Sequence, residues 1–401
     1  MNIFYRLYQY MLKFFSKLLP WREPMVIKGE ESLVLLKEHL LSLPYKHYLI
    51  VTDQGMTKVG LVKHLMSTLQ DSHYHLHVYD QTVPNPTVQN IDDAYQLYQT
   101  YRCDAIIGFG GGSSLDCAKG LSIKVAYPKK KIAHFKGILK IHRKLVPVIA
   151  IPTTAGTGSE CTLAAVISDP QKNQKYAIMD MHLVPTIAVL DPTLLKNLPS
   201  FYTATTGMDA LTHAMEAWIS LGRTKKTDQR SLNAMSVIFN ELERSYLEPD
   251  NLSYRMHLLE ASYDAGYAFT RAYVGNIHAI AHAFGGFYHI PHGYANAIIM
   301  PHVLHYSLPY IEGRLAKLYD HLYPNDHLKR KIDKAHAMIE KIKSMNLAMN
   351  IPEQIVVPHD QYVEDMVAHA HKEANPLYPV PHIYRKQDFK LLFHQILNTK
   401  L

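Results

Sequence analysis

Cysteine is scarce in this sequence of 401 residues, which has only Cys103, Cys117 and Cys161, with no CxxC spacing. An odd and widely spaced set excludes a scaffold built on disulfides, and it also excludes the cysteine-rich zinc sites. Reduced thiols are typical of cytosolic proteins. We therefore expect the chain to be cytoplasmic.

Long apolar runs are also missing. No window of about 18 uncharged apolar residues occurs, so the sequence predicts no transmembrane helix. Internal repeats and low-complexity tracts are absent as well. Charged residues make up 19% of the chain and hydrophobic residues 47%, which excludes a largely disordered protein. At roughly 100–200 residues per domain, this length predicts two domains.

The excess of positive charge is small. The net charge is +7, and the one dense basic stretch, residues 129–144, contains Gly137 and is interpreted as a solvated loop. A nucleic-acid-binding surface needs a concentrated basic stripe with interleaved aromatic residues. We therefore expect no nucleic-acid partner.

The first 22 residues have the pattern of an amphipathic basic helix. Its charges interrupt the apolar run and no small-residue cleavage site follows, so it is not a secretory signal. Two interpretations stay open: the helix packs on its own or a neighbouring subunit, or it lies on a membrane surface. The apolar positions are Phe4, Leu7, Tyr8, Met11, Leu12, Phe15, Leu18 and Leu19, and the polar ones are Arg6, Gln9, Lys13, Ser16 and Lys17.

Residues 25–198 alternate short apolar runs with stretches of helical period. Runs of this length that are rich in Ile and Val suit buried parallel strands, and alternation with helices predicts a doubly wound α/β domain. The predicted strands are residues 47–53, 104–109, 146–151 and 186–190.

Residues 199–401 change character, because glycine and proline become rare within long segments of helical period. This half is predicted to be an all-helical domain, after a boundary segment near residues 191–207. The predicted helices are residues 209–221, 227–246, 254–273, 311–323 and 328–345. The predicted parts of the chain are therefore an extension at residues 1–24, the α/β domain at residues 25–198 and the helical domain at residues 199–401.

A glycine turn follows the predicted strand at 104–109. Gly110, Gly111 and Gly112 let the backbone approach a pyrophosphate, and Ser113 opens a helix whose amino end favours an anion. A tight strand-to-helix turn is the alternative. Asp53 ends an earlier strand, where a carboxylate can bind a ribose diol and repel a 2′-phosphate, which favours NAD over NADP. The alternative for Asp53 is the start of a turn.

The loop at residues 151–160 follows another strand and is rich in hydroxyl groups, among them Thr153, Thr154 and Thr157. These hydroxyls and the backbone donors suit polar anchoring of a phosphate or a nicotinamide. A plain Ser/Thr turn is the alternative.

Metal-binding residues occur at helical spacing in the second half. Asp209 and His213 are four residues apart and share a helix face, as are His278 and His282, and His292 follows in a turn. Clustered imidazoles in apolar sequence need partners, and a metal supplies one. One aspartate with three histidines suits Fe²⁺ or Zn²⁺ and leaves the ion a Lewis acid for an alcohol oxygen.

Glu216 lies three residues after His213 on a similar face of the predicted helix. Two interpretations are open for it. It either supports a metal ligand through a hydrogen bond or forms an ordinary surface salt bridge.

Five ordered motifs together resemble the iron-containing alcohol dehydrogenase family, within the dehydroquinate synthase-like group. The resemblance covers about residues 25–395. The motifs are VPNPT from Val83, GGGSSLDCAK from Gly110, IPTTAGTGSE from Ile151, GMDALTHAMEAW from Gly207 and NIHAIAHAFGGFYHIPHGYANA from Asn276. The extension before residue 25 departs from the usual start of the family.

The resemblance implies an N-terminal nucleotide domain, a C-terminal helical domain and a set of site residues. It places the metal on Asp209, His213, His278 and His292, and it places His282, free of the metal, beside the substrate and the nicotinamide. The metal is Fe²⁺, with Zn²⁺ as the alternative, and the dinucleotide is NAD. For the dinucleotide, the resemblance implies contacts at Asn85, Gly111, Gly112, Ser113, Thr153, Thr157 and Lys175. With the residues taken from the strand end and the two loops, the cofactor-binding set is Asp53, Asn85, Gly110, Gly111, Gly112, Ser113, Asp116, Thr153, Thr154, Thr157 and Lys175.

The resulting hypothesis is a homo-oligomeric, metal-dependent alcohol dehydrogenase. Hydride passes between a small alcohol or aldehyde in the cleft between the domains and NAD(H), and His282 relays the proton. One alternative is a dehydroquinate synthase-like lyase that uses NAD and a metal. A second is a binding or assembly role in which the N-terminal helix docks the protein.

Overall fold

The computed structural model describes residues 2–16, 18–170 and 174–399, without the side chains of Asn2 and Gln174. Lys17, which the N-terminal helix prediction includes, lies outside the described residues. The chain forms two compact units. One comprises residues 20–198 and 249–266, and the other comprises residues 1–19, 199–248 and 267–401.

The first unit contains a six-stranded sheet in which all neighbouring strands are parallel. Its strands are β1 (Met25–Lys28), β2 (His47–Val51), β3 (His75–Tyr79), β4 (Ala105–Gly110), β6 (Val148–Pro152) and β9 (Ile187–Leu190). Every residue of β4 and β6 is buried, as expected for strands covered on both faces. The four predicted strands are confirmed as β2, β4, β6 and β9.

Helices connect these strands and cover the sheet, so the prediction of an α/β domain is confirmed. They are α2 (Ser32–Ser42), α3 (Gln54–Lys58), α4 (Leu61–Leu69), α5 (Val88–Thr100) and α6 (Gly112–Ala126). A small mixed sheet lies in the same unit, with strand order β5-β8-β7. Its strands are β5 (Gly137–Ile138), β7 (Ala164–Asp169) and β8 (Gln174–Met179).

The strand order of the large sheet, β1-β9-β6-β4-β2-β3, reverses direction between β2 and β4. The chain runs from β2 outward to β3 and then returns to β4 on the other side of β2. Open α/β sheets bind ligands outside the carboxyl ends of the strands at such a reversal. Asp53 follows β2 and Gly111 follows β4, so the predicted nucleotide residues lie at this point.

The second unit is mainly helical, as predicted. Its helices are α7 (Ser200–Ile219), α8 (Lys225–Leu247), α10 (Asn276–Tyr288), α11 (His292–Tyr306), α12 (Leu308–Leu322), α13 (Lys331–Ala348), α14 (Val363–Ala374) and α15 (Lys386–Ile396). Helix α9 (Leu252–Ala272) contributes residues to both units. The all-helical expectation needs one correction, because β10 (Ile355–Val357) and β11 (Leu397–Thr399) pair in parallel. Three-residue strands are too short to show a period in the sequence.

The amphipathic N-terminal segment is a helix, α1 (Asn2–Ser16), that belongs to the second unit. It packs on this unit through its polar side chains, whereas an amphipathic helix normally buries its apolar side. None of the helices within the described ranges has the length and hydropathy that crossing a bilayer requires.

Candidate functional site

Three helices of the second unit supply the predicted metal ligands. Asp209 and His213 lie one turn apart on α7 and are buried. His278 is buried in the first turn of α10, and His292 is the first residue of α11. One potential ligand atom from each of these four residues lies within 4.8 Å of the others. The structure therefore brings together all four residues predicted to bind the metal.

The amide of Asn296, one turn after His292 on α11, marks the point where three of these groups converge. Its Nδ2 lies 2.7 Å from Asp209 Oδ1, 3.3 Å from His278 Nε2 and 3.2 Å from His292 Nε2. Three ligand atoms from three different helices therefore face one small volume. The sequence analysis missed Asn296, because an asparagine within an apolar helix carries no distinctive signal.

This donor set fits a divalent cation. Metal bonds to imidazole and carboxylate are about 2.0–2.2 Å long, so two ligands of one ion lie no more than roughly 4 Å apart. The spread of the four ligand atoms, at most 4.8 Å, is close to that limit. Three imidazoles and one carboxylate suit Fe²⁺ or Zn²⁺ and leave part of the cation's charge unneutralised. The chemistry of the site thus fits the metal implied by the sequence.

Glu216 lies in the interior, so the surface salt bridge considered for it is wrong. Its Oε2 is 2.7 Å from His278 Nδ1, and its two oxygens also accept hydrogen bonds from the backbone N–H groups of Gly275 and Ile277. Burial raises the pKa of Glu216 to about 7, while these backbone donors act in the opposite direction. By accepting a hydrogen bond from the Nδ1–H group, Glu216 fixes the tautomer that directs His278 Nε2 toward the cluster.

His282 lies one turn after His278 on α10, with its ring centroid 5.1 Å from that of His292. Its Nδ1 is 2.5 Å from Oε1 of Glu373 on α14, and this oxygen also accepts a 2.7 Å hydrogen bond from the Tyr378 hydroxyl. Burial raises the pKa of Glu373, but His282, the Tyr378 hydrogen bond and His369 together outweigh burial, so the net pKa is lowered. His282 thus has an anionic partner that orients its ring.

The glycine turn of the first unit is tightly packed. Gly110 has φ of +138°, a conformation that other residues rarely adopt. A Cβ at Gly112 would lie 2.7 Å from Thr157 Cγ2, and one at Gly111 would lie 3.6 Å from Thr154 Oγ1. The hydroxyl-rich loop after β6 therefore lies directly against the turn, where α6 begins. The structure brings these two predicted segments together.

Asp53 lies at the same place but already has partners in the protein. Its Oδ1 accepts from the Met56 backbone N–H as the N-cap of α3, and its Oδ2 accepts from the Ser114 hydroxyl. Asp53 therefore starts the turn into α3, as the alternative interpretation predicted. Its contact with a ribose stays a prediction.

A second group of predicted residues meets at the start of α6. The Asn85 backbone N–H donates to Ser113 Oγ at 3.2 Å, and Asn85 Oδ1 accepts from Lys175 Nζ at 2.7 Å. Asn85 is held at φ of +56°, which a turn in the VPNPT motif requires. These three side chains thus form one polar cluster.

Two other predicted cofactor residues are engaged within the fold. The Asp116 oxygens accept from Ser159 Oγ at 2.7 Å and from the Val166 backbone N–H at 2.9 Å. Thr153 is buried and donates to the Met56 sulfur at 3.4 Å. In this structure Asp116 joins α6 to the neighbouring loop and strand, and its contact with a cofactor stays a prediction.

Comparisons with known proteins agree over nearly the whole chain. The family description "Iron-containing alcohol dehydrogenase" matches residues 24–192, and "Fe-containing alcohol dehydrogenase family, C-terminal" matches residues 203–397. The chain is 36% identical over 343 residues to "Alcohol dehydrogenase 4" of Schizosaccharomyces pombe, covering 84% of this chain and 80% of that protein.

Two further proteins match most of this chain, and the name of the first includes its cofactor. The chain is 34% identical over 285 residues to "NAD-dependent methanol dehydrogenase" of Bacillus methanolicus, covering 71% of this chain and 74% of that protein. It is similar to the solved structure of 1,3-propanediol oxidoreductase with a TM-score of 0.89 and 31% identity, covering 94% of this chain and 99% of that chain.

The parallel-sheet unit, the glycine turn and the aspartate–histidine cluster define an oxidoreductase that uses NAD and a divalent metal. The chain belongs to the iron-containing alcohol dehydrogenase family. It is an NAD-dependent alcohol dehydrogenase, which transfers a hydride between a small alcohol or aldehyde and NAD(H). Its cofactors are NAD and a divalent metal, which is iron in this family.

Proposed function

We propose that Asp209, His213, His278 and His292 hold the catalytic iron, with Zn²⁺ as the alternative ion. The observation that carries this proposal is the convergence of four ligand atoms from α7, α10 and α11 within 4.8 Å. The substrate is a small alcohol or aldehyde. The nucleotide domain corresponds to residues 25–198 and the metal domain to residues 199–401.

The cofactors supply the two reactive elements when bound: the metal acts as a Lewis acid, and NAD accepts or donates the hydride. The chain supplies orientation and proton transfer. Glu216 accepts a hydrogen bond from the Nδ1–H group of His278. This keeps the ring in the tautomer whose Nε2 is free to bind a metal. The Nδ1–H group of His282 donates a hydrogen bond to Glu373. Nε2 is therefore the atom that takes up or releases the substrate proton.

In this proposal the pyrophosphate of NAD binds at the glycine turn. The backbone from Gly110 to Ser113 and the amino end of α6 offer N–H donors there, and the packing of Thr154 and Thr157 against the turn supports this location. Asp53 excludes a 2′-phosphate by charge, and Asn85 with Lys175 lies beside Ser113. Asp116 and Thr153 contribute through the packing of these segments.

Replacing Glu373 with Gln is expected to lower kcat roughly tenfold while metal content and KM stay near their original values. The reason is that the glutamine amide is uncharged and orients His282 less strongly, so proton transfer suffers while metal binding does not. Steady-state kinetics and metal analysis check this. Glu364→Gln is the matched control, since Glu364 lies on the same helix but pairs with Lys390 at the surface. Loss of metal, or an unchanged kcat, would contradict the positioning role.

An NADH-linked screen of alcohols and aldehydes tests the proposed function. Protein purified without oxygen is loaded with Fe²⁺ or Zn²⁺ and assayed against primary alcohols of increasing length and the matching aldehydes. We expect NADH production from simple alcohols, strict dependence on added metal and a clear preference for NAD over NADP. Turnover that is equal in metal-stripped protein would remove the metal from the proposal.

The proposal also covers the cellular location of the enzyme, its assembly and the contact made by residues 1–22. The scarce, buried thiols support a cytoplasmic location. The enzyme is a homo-oligomer, and residues 1–22 make a contact with a membrane surface or with another subunit.

A further inference from the structure

Helix α1 (Asn2–Ser16) and the turn after it present an apolar surface to solvent. Among the described residues from 3 to 18, every side chain that is exposed is a large apolar or aromatic one, between 47% and 83% exposed. Helical spacing places these positions on one face. We call them the outer face of α1: Ile3, Phe4, Leu7, Tyr10, Met11, Phe14, Phe15 and Leu18.

Polar side chains on the opposite side hold this orientation in place. Arg6 donates to the Val380 and Pro381 carbonyls at 2.5 and 2.7 Å, and Gln9, only 5% exposed, donates to the Tyr378 carbonyl at 2.8 Å. Lys13 donates to the Leu221 carbonyl at 2.6 Å. Turning the apolar face inward would break all of these hydrogen bonds and leave the carbonyl acceptors without them, so the outer face is held outward.

The outer face is larger than a soluble surface normally tolerates. Monomeric soluble proteins rarely expose a contiguous apolar patch of more than roughly 300–600 Å², and larger patches mark sites of interaction. Eight large side chains, each about half exposed or more, exceed that size. A partner therefore covers this face.

We infer that the outer face of α1 docks on an anionic lipid surface. Residues 1–22 contain Arg6, Lys13, Lys17 and Arg22 and no aspartate or glutamate. Lys225 and Lys226, both exposed, follow within five residues of Leu221, which accepts the Lys13 bond. An apolar face on a basic segment without carboxylates complements acyl chains beneath anionic headgroups.

The composition of the outer face favours lipid over a second copy of the chain. Protein interfaces carry a polar rim with hydrogen bonds, whereas the only hydrogen-bonding group on this face is the Tyr10 hydroxyl. Phenylalanine and tyrosine anchor helices at the bilayer interface. A helix of 15 residues is too short to span a bilayer, so α1 lies in the plane of the interface.

Vesicle flotation of the complete, metal-loaded enzyme tests this inference. The vesicles consist of phosphatidylcholine alone or mixed with phosphatidylglycerol. We expect the enzyme to float with the anionic vesicles, less so at high salt, and we expect Phe4→Glu with Phe15→Glu to weaken partitioning about 100-fold. The matched control is Leu247→Glu with Leu347→Glu, which changes two equally exposed leucines outside α1 and should leave flotation unchanged.

Several results would overturn the inference. They are no flotation of the original enzyme, equal flotation of the α1 variant, equal binding to neutral vesicles, or a drop in molar mass of the α1 variant without lipid, which would mean that a second copy covers the face. The inference rests on the contact proposed for residues 1–22 and not on the dehydrogenase chemistry. Turnover of a water-soluble alcohol is measured on each sample, so failure of the proposed enzyme activity is seen separately from failure of docking.

Discussion

Replacing His278 with Ala is expected to remove the metal and the activity together. His278 is buried, and its Nε2 faces the same point as Asp209 and His292. Alanine deletes this ligand and also deprives the buried Glu216 of its imidazole donor. We expect metal content near zero and a fall in kcat/KM of about 1,000-fold or more, since the Lewis acid lowers the barrier by roughly 4 kcal/mol.

Elemental analysis and NADH-linked kinetics on the same preparation measure both losses. NAD affinity, measured by calorimetry, should stay unchanged, because the glycine turn belongs to the other compact unit. His305→Ala is the control: His305 is exposed in the last turn of α11, and its ring centroid lies 5.9 Å from that of His336. A His278→Ala protein that keeps its metal and full turnover would refute the ligand assignment.

The metal cluster was accessible to sequence analysis because its main feature is local. Asp209 and His213 share a helix face through a spacing of four residues, and a helix fixes that geometry whatever surrounds it. The meeting of α7 with α10 and α11 is not local. It was predicted from the clustering of histidines in apolar sequence and from the ordered motifs around His278 and His292, whose resemblance to a family carries information about tertiary contacts.

The glycine turn was predictable for a similar reason. A buried strand, three glycines and a helix start are contiguous in the sequence, and Asp53 follows the neighbouring strand. The sequence did not show which polar side chains form hydrogen bonds within the fold itself. Asp116 belongs to the same motif as Gly112. Its oxygens, however, accept hydrogen bonds from Ser159 and Val166, about 45 residues further along the chain.

The features that sequence analysis missed depend on contacts between distant segments. Glu373 lies 91 residues after His282 in an ordinary polar helix, and nothing in its local pattern distinguishes it from its neighbour Lys372. The amphipathic period of α1 was evident, but its orientation was not. Period alone does not show that backbone carbonyls at 378–381 are placed to bind the polar side.

Replacing Gly293 with Ala is expected to weaken metal binding about 10–100-fold, the size of effect seen when groups that support metal ligands are changed. Gly293 is the second residue of α11, directly after His292. A Cβ at this position would lie 2.3 Å from the Thr205 carbonyl oxygen and 3.2 Å from Asp209 Cβ. Because the first obstacle is backbone, no side-chain rotation relieves it, and the start of α11 must move away from α7.

That movement separates His292 from Asp209, whose Nε2 and Oδ1 atoms lie 3.5 Å apart. Gly313→Ala is the control, since a Cβ there meets nothing within 4 Å and should stabilise α12 by about 0.5–1 kcal/mol. Metal titration and thermal unfolding of the metal-free proteins separate the two effects. If the Gly293→Ala protein binds metal as tightly as the original chain, close approach of α11 to α7 is not what aligns the ligands.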